Sequence, residues 1–288
     1  MGEMKKVVNL SKKELEEAND LINQVEGYDH TYRRPYLSNQ YNYFPDMPSF
    51  VLYYNEKQLI GLLTLYAGED PKGIVDITIN VLPDYHRHKI GIKLFTEGLK
   101  ILKKYNFQNY DFMSEQKFLD NNPDFLKNIG LQIEPAESEY QMSYKNDFIN
   151  VKRNDELEVR ELKQPDVEQL LPLYSKVFAT NTQETRTYLQ ESLNEINTKS
   201  FVLLLKKKII GYCSIDVSDT YYIFGLFIAE KYQNRGLGTY FIKWVMKILL
   251  ESDPKAFVIG VDESNKIAHH LYLKVGFKDQ TKVVYLSK

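Results

Sequence analysis

Five landmarks recur in the same order in the two halves of this chain, and that repetition constrains the fold more than any composition figure. Ser49-Phe-Val-Leu52 returns as Ser200-Phe-Val-Leu203, Ile60-Gly61 as Ile210-Gly211, Tyr85 as Tyr232, Gly91 as Gly238 and Gly130 as Gly276. The offset drifts only from 151 to 146 residues, as short loop insertions would produce. Such a chain is a duplication of one supersecondary plan. At 288 residues it suits two domains of about 140 to 150 residues each. The charged stretch Lys145 to Glu156 reads as the linker, giving domains at 1–148 and 157–288.

Periodicity fills in each copy. Ser11 with Glu14 three residues later is a capping-box signature, and Leu15, Ala18, Leu21, Ile22 and Val25 continue it as one helix face. Gly27 to Pro48 is irregular and rich in tyrosine. Ser49 to Tyr66 reads as a hairpin, Gly73 to Leu82 as a strand, Ile90 to Tyr105 as an amphipathic helix and Asn109 to Met113 as a strand. A helix over Asp120 to Ile129, closed by Gly130, and a strand over Tyr140 to Tyr144 end the half. The second half repeats the order: helix 166–178, a polar loop or helix 182–197, hairpin 200–215, strand 221–228, helix 237–250, strand 256–261, helix 266–274 and strand 281–286.

The most informative stretch runs from the strand Tyr221 to Ile228 into the helix beyond it. A polar turn leads into Gln233-Asn-Arg-Gly-Leu-Gly238 and then a helix marked by Leu237, Phe241, Trp244, Val245, Ile248 and Leu249. A strand feeding a glycine-punctuated turn into a helix N-terminus holds phosphate, because unpaired first-turn amides converge there and the helix dipole favours negative charge. Gly236 and Gly238 lack a Cβ, so phosphate oxygens can come close to the backbone.

Composition removes other classes. A net charge of −2 offers no electrostatic case for nucleic acid or membrane. A single cysteine, Cys213, excludes an intrachain disulfide and a cysteine-built metal site, and it reads as core rather than nucleophile. No apolar run approaches the ~18 residues of a membrane helix, and the start carries no signal-peptide pattern, so a cytoplasmic protein is expected. His86, His88 and Lys89 read as a solvated basic turn. His269-His270 are adjacent and face different ways on a helix, which does not make a metal pair. No metal is expected.

The second half resembles the GNAT superfamily of acyl-CoA-dependent N-acetyltransferases. Gln233 to Gly238 fits the family's acetyl-CoA motif at every position, and Asn265, Ala268, Tyr272 and Gly276-Phe277 fit its second motif. The likeness covers residues 157–288 strongly and 4–144 in outline. It implies two tandem α/β (α+β) domains, each a mixed, mostly antiparallel sheet flanked by helices. It also implies that the amides of Asn234, Arg235, Gly236, Leu237, Gly238 and Thr239 take the pyrophosphate of acetyl-CoA, with Gln233 at the start of the same cofactor-binding stretch. Leu226, Phe227 and Ile228 would offer amides to the pantetheine arm, with Leu226 as oxyanion donor. Asn265 and Ala268 would border the cofactor, and Tyr272 would protonate the leaving thiolate. The implied reaction is acetyl transfer to a primary amine of a small molecule or peptide, by direct attack, in a monomer or homodimer. Asp216, Asp262, Glu263 and His269 are candidates for the base, and the residues do not choose among them.

The first half departs from the motif at His86-Arg-His-Lys-Ile-Gly91. Lys89 replaces the first glycine, Leu119 stands where Asn265 does, and Leu126 where Tyr272 does. A copy that has lost acetyl-CoA binding and serves as scaffold and substrate-cleft wall is expected, with Tyr28 to Tyr54 either lining that cleft or packing. Two other functions stay open: a non-catalytic acyl-CoA sensor or scaffold, and transfer to oxygen or sulfur or of a longer acyl chain.

Overall fold

Alternating apolar residues, glycine stops and capping side chains divide the described residues into twelve strands and eight α-helices. The computed structural model describes residues 2–145 and 148–287. The first half runs β1 (Glu3–Val7), α1 (Lys12–Asp29), β2 (Phe50–Asn55), β3 (Gln58–Tyr66), β4 (Ile74–Val81), α2 (Ile90–Lys104), β5 (Asn109–Glu115), α3 (Gln116–Asn121), α4 (Phe125–Ile129) and β6 (Gln132–Tyr144). The second runs β7 (Leu157–Glu161), α5 (Val167–Phe178), α6 (Thr182–Ser192), β8 (Thr198–Leu205), β9 (Lys208–Asp216), β10 (Tyr221–Ile228), α7 (Leu237–Ser252), β11 (Phe257–Asp262), α8 (Lys266–Val275) and β12 (Lys278–Ser287).

Most expected elements are present, and the differences have local causes. β1 and β7 open the two halves unannounced by the sequence, because each is a short, charged edge strand with few inward residues. The helix expected over 120–129 is two short ones. Pro123 keeps Asn122 out of the helical region, at φ −128° and ψ 65°, and so interrupts it. The polar segment from Thr182 is helical to Ser192, started by the Asn181 side chain accepting from the Glu184 amide.

The chain forms two compact units, Met1–Glu139 with Thr281–Lys288, and Tyr140–Gln280. The last strand of each half is therefore lent to the other half's unit. In the first unit the strand order is β1-β2-β3-β4-β5-β12, and β12 runs antiparallel to β5 from Val283↔Glu115 to Leu286↔Phe112. In the second it is β7-β8-β9-β10-β11, with the Tyr140–Tyr144 end of β6 next to β11. The segment expected as linker packs within the second unit, where Ile149 is buried and the Tyr144 hydroxyl donates to the Phe148 carbonyl. Asn146 and Asp147 of that segment lie outside the described residues.

Within each unit the first strands pair antiparallel, and a single parallel pair, β4–β5 or β10–β11, is bridged by a crossover helix, α2 or α7. β3 is buried at every residue from Leu59 to Leu65, and β9 from Ile209 to Ile215, so both faces of each strand are covered. In the second unit the two faces hold separate cores. Ile210, Cys213 and Ile215 pack with Phe241, Val245 and Tyr272 of α7 and α8. Ile209 and Tyr212 pack with Leu170 and Leu189 of α5 and α6. Each fully buried aliphatic or aromatic side chain contributes about 1.5–3 kcal/mol.

The α1 capping box is formed as the sequence requires. The Glu14 amide donates to Ser11 Oγ at 3.3 Å, and the Ser11 amide donates to Glu14 Oε2 at 2.8 Å. Lys5 Nζ lies 2.5 Å from the other oxygen. The Lys5 and Ser11 side chains hold the Glu14 carboxyl down at about 2. Its contribution is therefore complete above the unfolded glutamate pKa of ~4.3 and is lost as pH falls toward about 2. Ser11→Ala is expected to lower stability by about 1 kcal/mol in chemical denaturation. Glu14→Gln should flatten the acid limb of stability between those pH values; an unaltered limb would remove the box from the balance.

Candidate active site

The site begins with a fault in a strand. β10 pairs with β9 in regular register from Tyr222↔Asp216 to Phe224↔Ser214, and resumes at Phe227↔Tyr212. Two residues, Gly225 and Leu226, thus stand opposite Cys213 alone. This is a β-bulge, and its first residue has φ +61°, a conformation that favours glycine. On the other edge, β10 pairs with β11 only from Tyr221↔Phe257 to Ile223↔Ile259. Beyond Ile223 the strands part. The Ala229 amide donates to the Ile210 carbonyl at 2.8 Å. Two-residue alternation then turns the Phe227 amide toward β9 and the Leu226 and Ile228 amides into the opening on the β11 side. Two main-chain donors of β10 thus face a gap rather than a strand.

The turn after β10 is held by its own side chain. Gln233 Nε2 donates to the Ile228 carbonyl at 2.8 Å, tying the first motif position to the end of the strand. Asn234 (φ +60°) and Gly236 (φ +73°) are both left-handed, and α7 starts at Leu237 with Gly236 as its cap. A Cβ placed on Gly236 would meet no atom within 4 Å, so the space in front of the first turn is open. Gly238 differs from the expectation: a Cβ there would lie 2.7 Å from Leu271 Cδ1. It serves the packing of α7 on α8 rather than close approach by a ligand. Thr239 lies in the first turn of α7, and Arg235 is exposed, its Nη2 donating to the Lys231 carbonyl at 3.1 Å.

α8 brings the second motif to the same unit. Asn265 caps the helix, its Oδ1 accepting from the Ala268 amide at 3.1 Å. Tyr272 is 7% exposed, and its hydroxyl makes no hydrogen bond among the described residues. Burial, with Cys213 and Tyr222 nearby, pushes the phenol well above its ordinary value, so it holds its proton at neutral pH. Burial also pushes the Cys213 thiol well up, and the thiol lies in the core. That is the environment of a packing residue, not of a nucleophile.

The candidate bases are distributed rather than gathered. Asp262 Oδ1 accepts from the Ser264 amide at 2.6 Å, and this turn lowers its pKa. Glu263 accepts from the Tyr140 hydroxyl at 3.3 Å. His269 Nε2 lies 2.7 Å from Asp279 Oδ1, and its ring stacks on Tyr140 at 4.7 Å. Asp216 accepts from the Ser218 amide at 2.8 Å. Among the described residues no group of three His, Cys, Asp or Glu side chains could hold a metal ion.

The first unit carries the same turn in a different setting. Arg87 (φ +64°) and Lys89 (φ +61°) repeat the left-handed pair, and His86 Nε2 donates to the Val81 carbonyl at 2.9 Å as Gln233 does to Ile228. Three things differ. A lysine at a left-handed position costs roughly 1–2 kcal/mol more than glycine, and its side chain starts where Gly236 leaves space. Thr78 stands in place of Gly225, and β4 pairs with β3 without interruption from Asp76 to Val81. Finally, the end of α1 meets the turn and the chain after it is tied to the last residue of β5. Tyr28 meets the His86 ring at 5.8 Å, and the Tyr32 and Arg33 amides donate to the buried Glu115 carboxylate at 2.7 and 2.8 Å. Leu119 and Leu126, the counterparts of Asn265 and Tyr272, pack against Val284 and Leu286.

A strand and left-handed turn leading into a helix, set in a mixed sheet and built twice, with a bulge in the strand of the second copy, define the fold of acyl-CoA-dependent acetyltransferases. The chain belongs to the acetyltransferase (GNAT) family, whose family model matches residues 14–123 and again 167–277. Solved structures agree on the tandem architecture. A GCN5-related N-acetyltransferase from Sphaerobacter thermophilus superposes with a TM-score of 0.77 at 11% identity, covering 99% of this chain and 95% of that one. A tandem GNAT protein from the clavulanic acid biosynthesis pathway gives 0.72 at 11% identity, covering 99% and 98%. A GNAT-family acetyltransferase from Colwellia psychrerythraea gives 0.62 at 12% identity, covering 99% and 100%. Among the described residues no helix is long and apolar enough to cross a membrane.

Sequence reading missed the bulge. A glycine inside an otherwise aromatic strand was its signal. Gly225→Val is expected to strain the left-handed position and restore the regular register, reducing acetyl transfer by at least tenfold. Acetyl transfer at the wild-type rate in that variant would show that the bulge is not needed.

Proposed function

We propose that this protein transfers an acetyl group from acetyl-CoA to a primary amine by direct attack, using the second unit alone. The bulge carries the proposal. It leaves the Leu226 amide facing the opening between β10 and β11, where a thioester carbonyl can take it as a hydrogen-bond donor. The pyrophosphate lies on the amides from Asn234 to Thr239, before the open face of Gly236, while the Gln233 amide is given to the Glu230 carbonyl at 3.1 Å. Phe227 and Ile228 continue the strand along the pantetheine arm, and Asn265 and Ala268 border it from α8.

In the reaction the amine nitrogen, having lost one proton, forms a bond to the thioester carbon. Negative charge grows on the carbonyl oxygen, and a preorganised donor such as the Leu226 amide stabilises it by roughly 3 kcal/mol. The carbon–sulfur bond then breaks, the Tyr272 hydroxyl supplies a proton to the departing thiolate, and the nitrogen gives up its second proton, which restores the Tyr272 hydroxyl, as the amide forms. A buried phenol that keeps its proton is available for that transfer. Direct attack is favoured over an acyl-enzyme because Cys213 is sealed in the core with a raised pKa. The single, buried thiol also suits a cytoplasmic setting.

Gly236→Asp, which places a carboxylate before the first turn of α7, is expected to abolish the rise in melting temperature on adding acetyl-CoA. Tyr272→Phe should lower kcat by about tenfold to a hundredfold, with the KM for acetyl-CoA within about twofold. A thermal shift that survives Gly236→Asp would move the cofactor elsewhere, and an undiminished kcat would remove the acid role from Tyr272.

A further inference from the structure

The α5–α6 face of the second unit holds information about the acceptor that the cofactor motifs do not. On β10, Tyr221 and Ile223 pack into the α7–α8 core, so Tyr222 and Phe224 are on the opposite face, and after the bulge Phe227 shares it. The end of α5 covers this face with aromatic rings. Tyr174 lies 4.5 Å from Phe178, 5.5 Å from Tyr212 and 6.2 Å from Phe227, centroid to centroid. Phe178 Cζ would lie 4.0 Å from a Cβ on Gly225, so this ring sits over the bulge itself. Phe178 is nonetheless 39% exposed, and Val177 44%. An apolar wall therefore opens to solvent directly beside the Leu226 position.

The polar groups on this face are mostly consumed. The hydroxyls of Ser200, Tyr212 and Ser214 bond to one another at 2.6 to 3.1 Å inside the core. Among the described residues the Asp216 carboxylate is engaged only through Oδ1, which accepts from the Ser218 amide at 2.8 Å. Asp216 is directly opposite Tyr222 on one side and Thr198 on the other, so all three share the face. Asp216 has no ion-pair partner among the described residues. The nearby Lys255 ammonium is committed to the Val217 and Ser218 carbonyls, at 2.9 and 2.8 Å, and to Asp253 at 3.0 Å. Lys199 is paired with Glu161 at 3.6 Å. Along β10 the Tyr222 rung is four residues from Leu226, roughly 10 to 13 Å at ~3.3 Å per residue with a bulge intervening.

Resting on the acetyltransferase reading, we infer that the acceptor is a diamine: a primary amine on an apolar spacer carrying a second, cationic nitrogen. The cationic end pairs with Asp216, the spacer runs along Phe224 beside the exposed edge of Phe178, and the other nitrogen, unprotonated, reaches the thioester carbon at the bulge. Aromatic rings suit both the spacer and the cation, and the unpaired carboxylate provides the charge complementarity. Phe178 and Asp216 are thereby specificity-determining residues.

The test compares octamethylenediamine with octylamine, using thiol release from acetyl-CoA by the full-length protein. The expected kcat/KM is about tenfold higher for the diamine, the size of one charge-assisted contact. Asp216→Asn should bring the ratio to within about twofold of one. Phe178→Ala should lower kcat/KM for both amines. Calorimetric acetyl-CoA binding should persist in both variants, which shows that they are folded. Equal kcat/KM for the two amines in the wild type, or a preference that survives Asp216→Asn, would overturn the inference while leaving amine acetylation in place. Acetyl-CoA binding without thiol release to any amine would overturn both.

Discussion

The interruption of the β9–β10 ladder at Gly225–Leu226 is the constraint on which the second unit depends. A continuous antiparallel ladder would set Gly225 where Leu226 now is and shift every later side chain to the other face. With the bulge, Leu226 and Ile228 pack toward α7 and α8, while Phe227 packs toward α5 and α6. The strand reaches Gln233 in a position where that side chain can hold the Ile228 carbonyl. The parting of β10 from β11 then leaves main-chain amides without a strand partner on that edge. Buried amides without partners are costly, so a strand edge kept in this form is suited to a ligand that brings its own acceptors.

The first unit separates the parts of this device. It has the same left-handed pair and the same side-chain clasp to the strand end, but no bulge, no glycine at the cap and a chain segment tied to Glu115. The turn is therefore a structural solution to leaving a strand and entering a helix, stable without any ligand. The bulge and the open cap are what the second unit has in addition. A lysine can take the left-handed cap at modest cost, which is why the turn survives in a copy that lacks the rest.

Much of this was legible in the sequence because it depends on local chemistry. The Ser11–Glu14 box, the hairpins, the glycine-marked turn and the second motif from Asn265 to Phe277 each announce themselves through residue type and spacing. The features that were not legible depend on pairing across the sheet. That Tyr140–Tyr144 joins the second unit and Thr281–Ser287 the first is a consequence of register between distant strands, which no local pattern records. The role of Gly238 was also hidden, since its contact with Leu271 belongs to helix packing. Asp216 was visible as a carboxylate, but only the Tyr222↔Asp216 register set it on the aromatic face. The candidate bases Asp216, Asp262, Glu263 and His269 each have a separate hydrogen-bond partner rather than converging on one point.

The chain builds the turn twice, and we propose that it binds acetyl-CoA with only one copy. Calorimetric titration of the full-length protein with acetyl-CoA measures this directly. One equivalent per chain is predicted. Two equivalents, or one that persists when the second unit's turn is blocked, would contradict it.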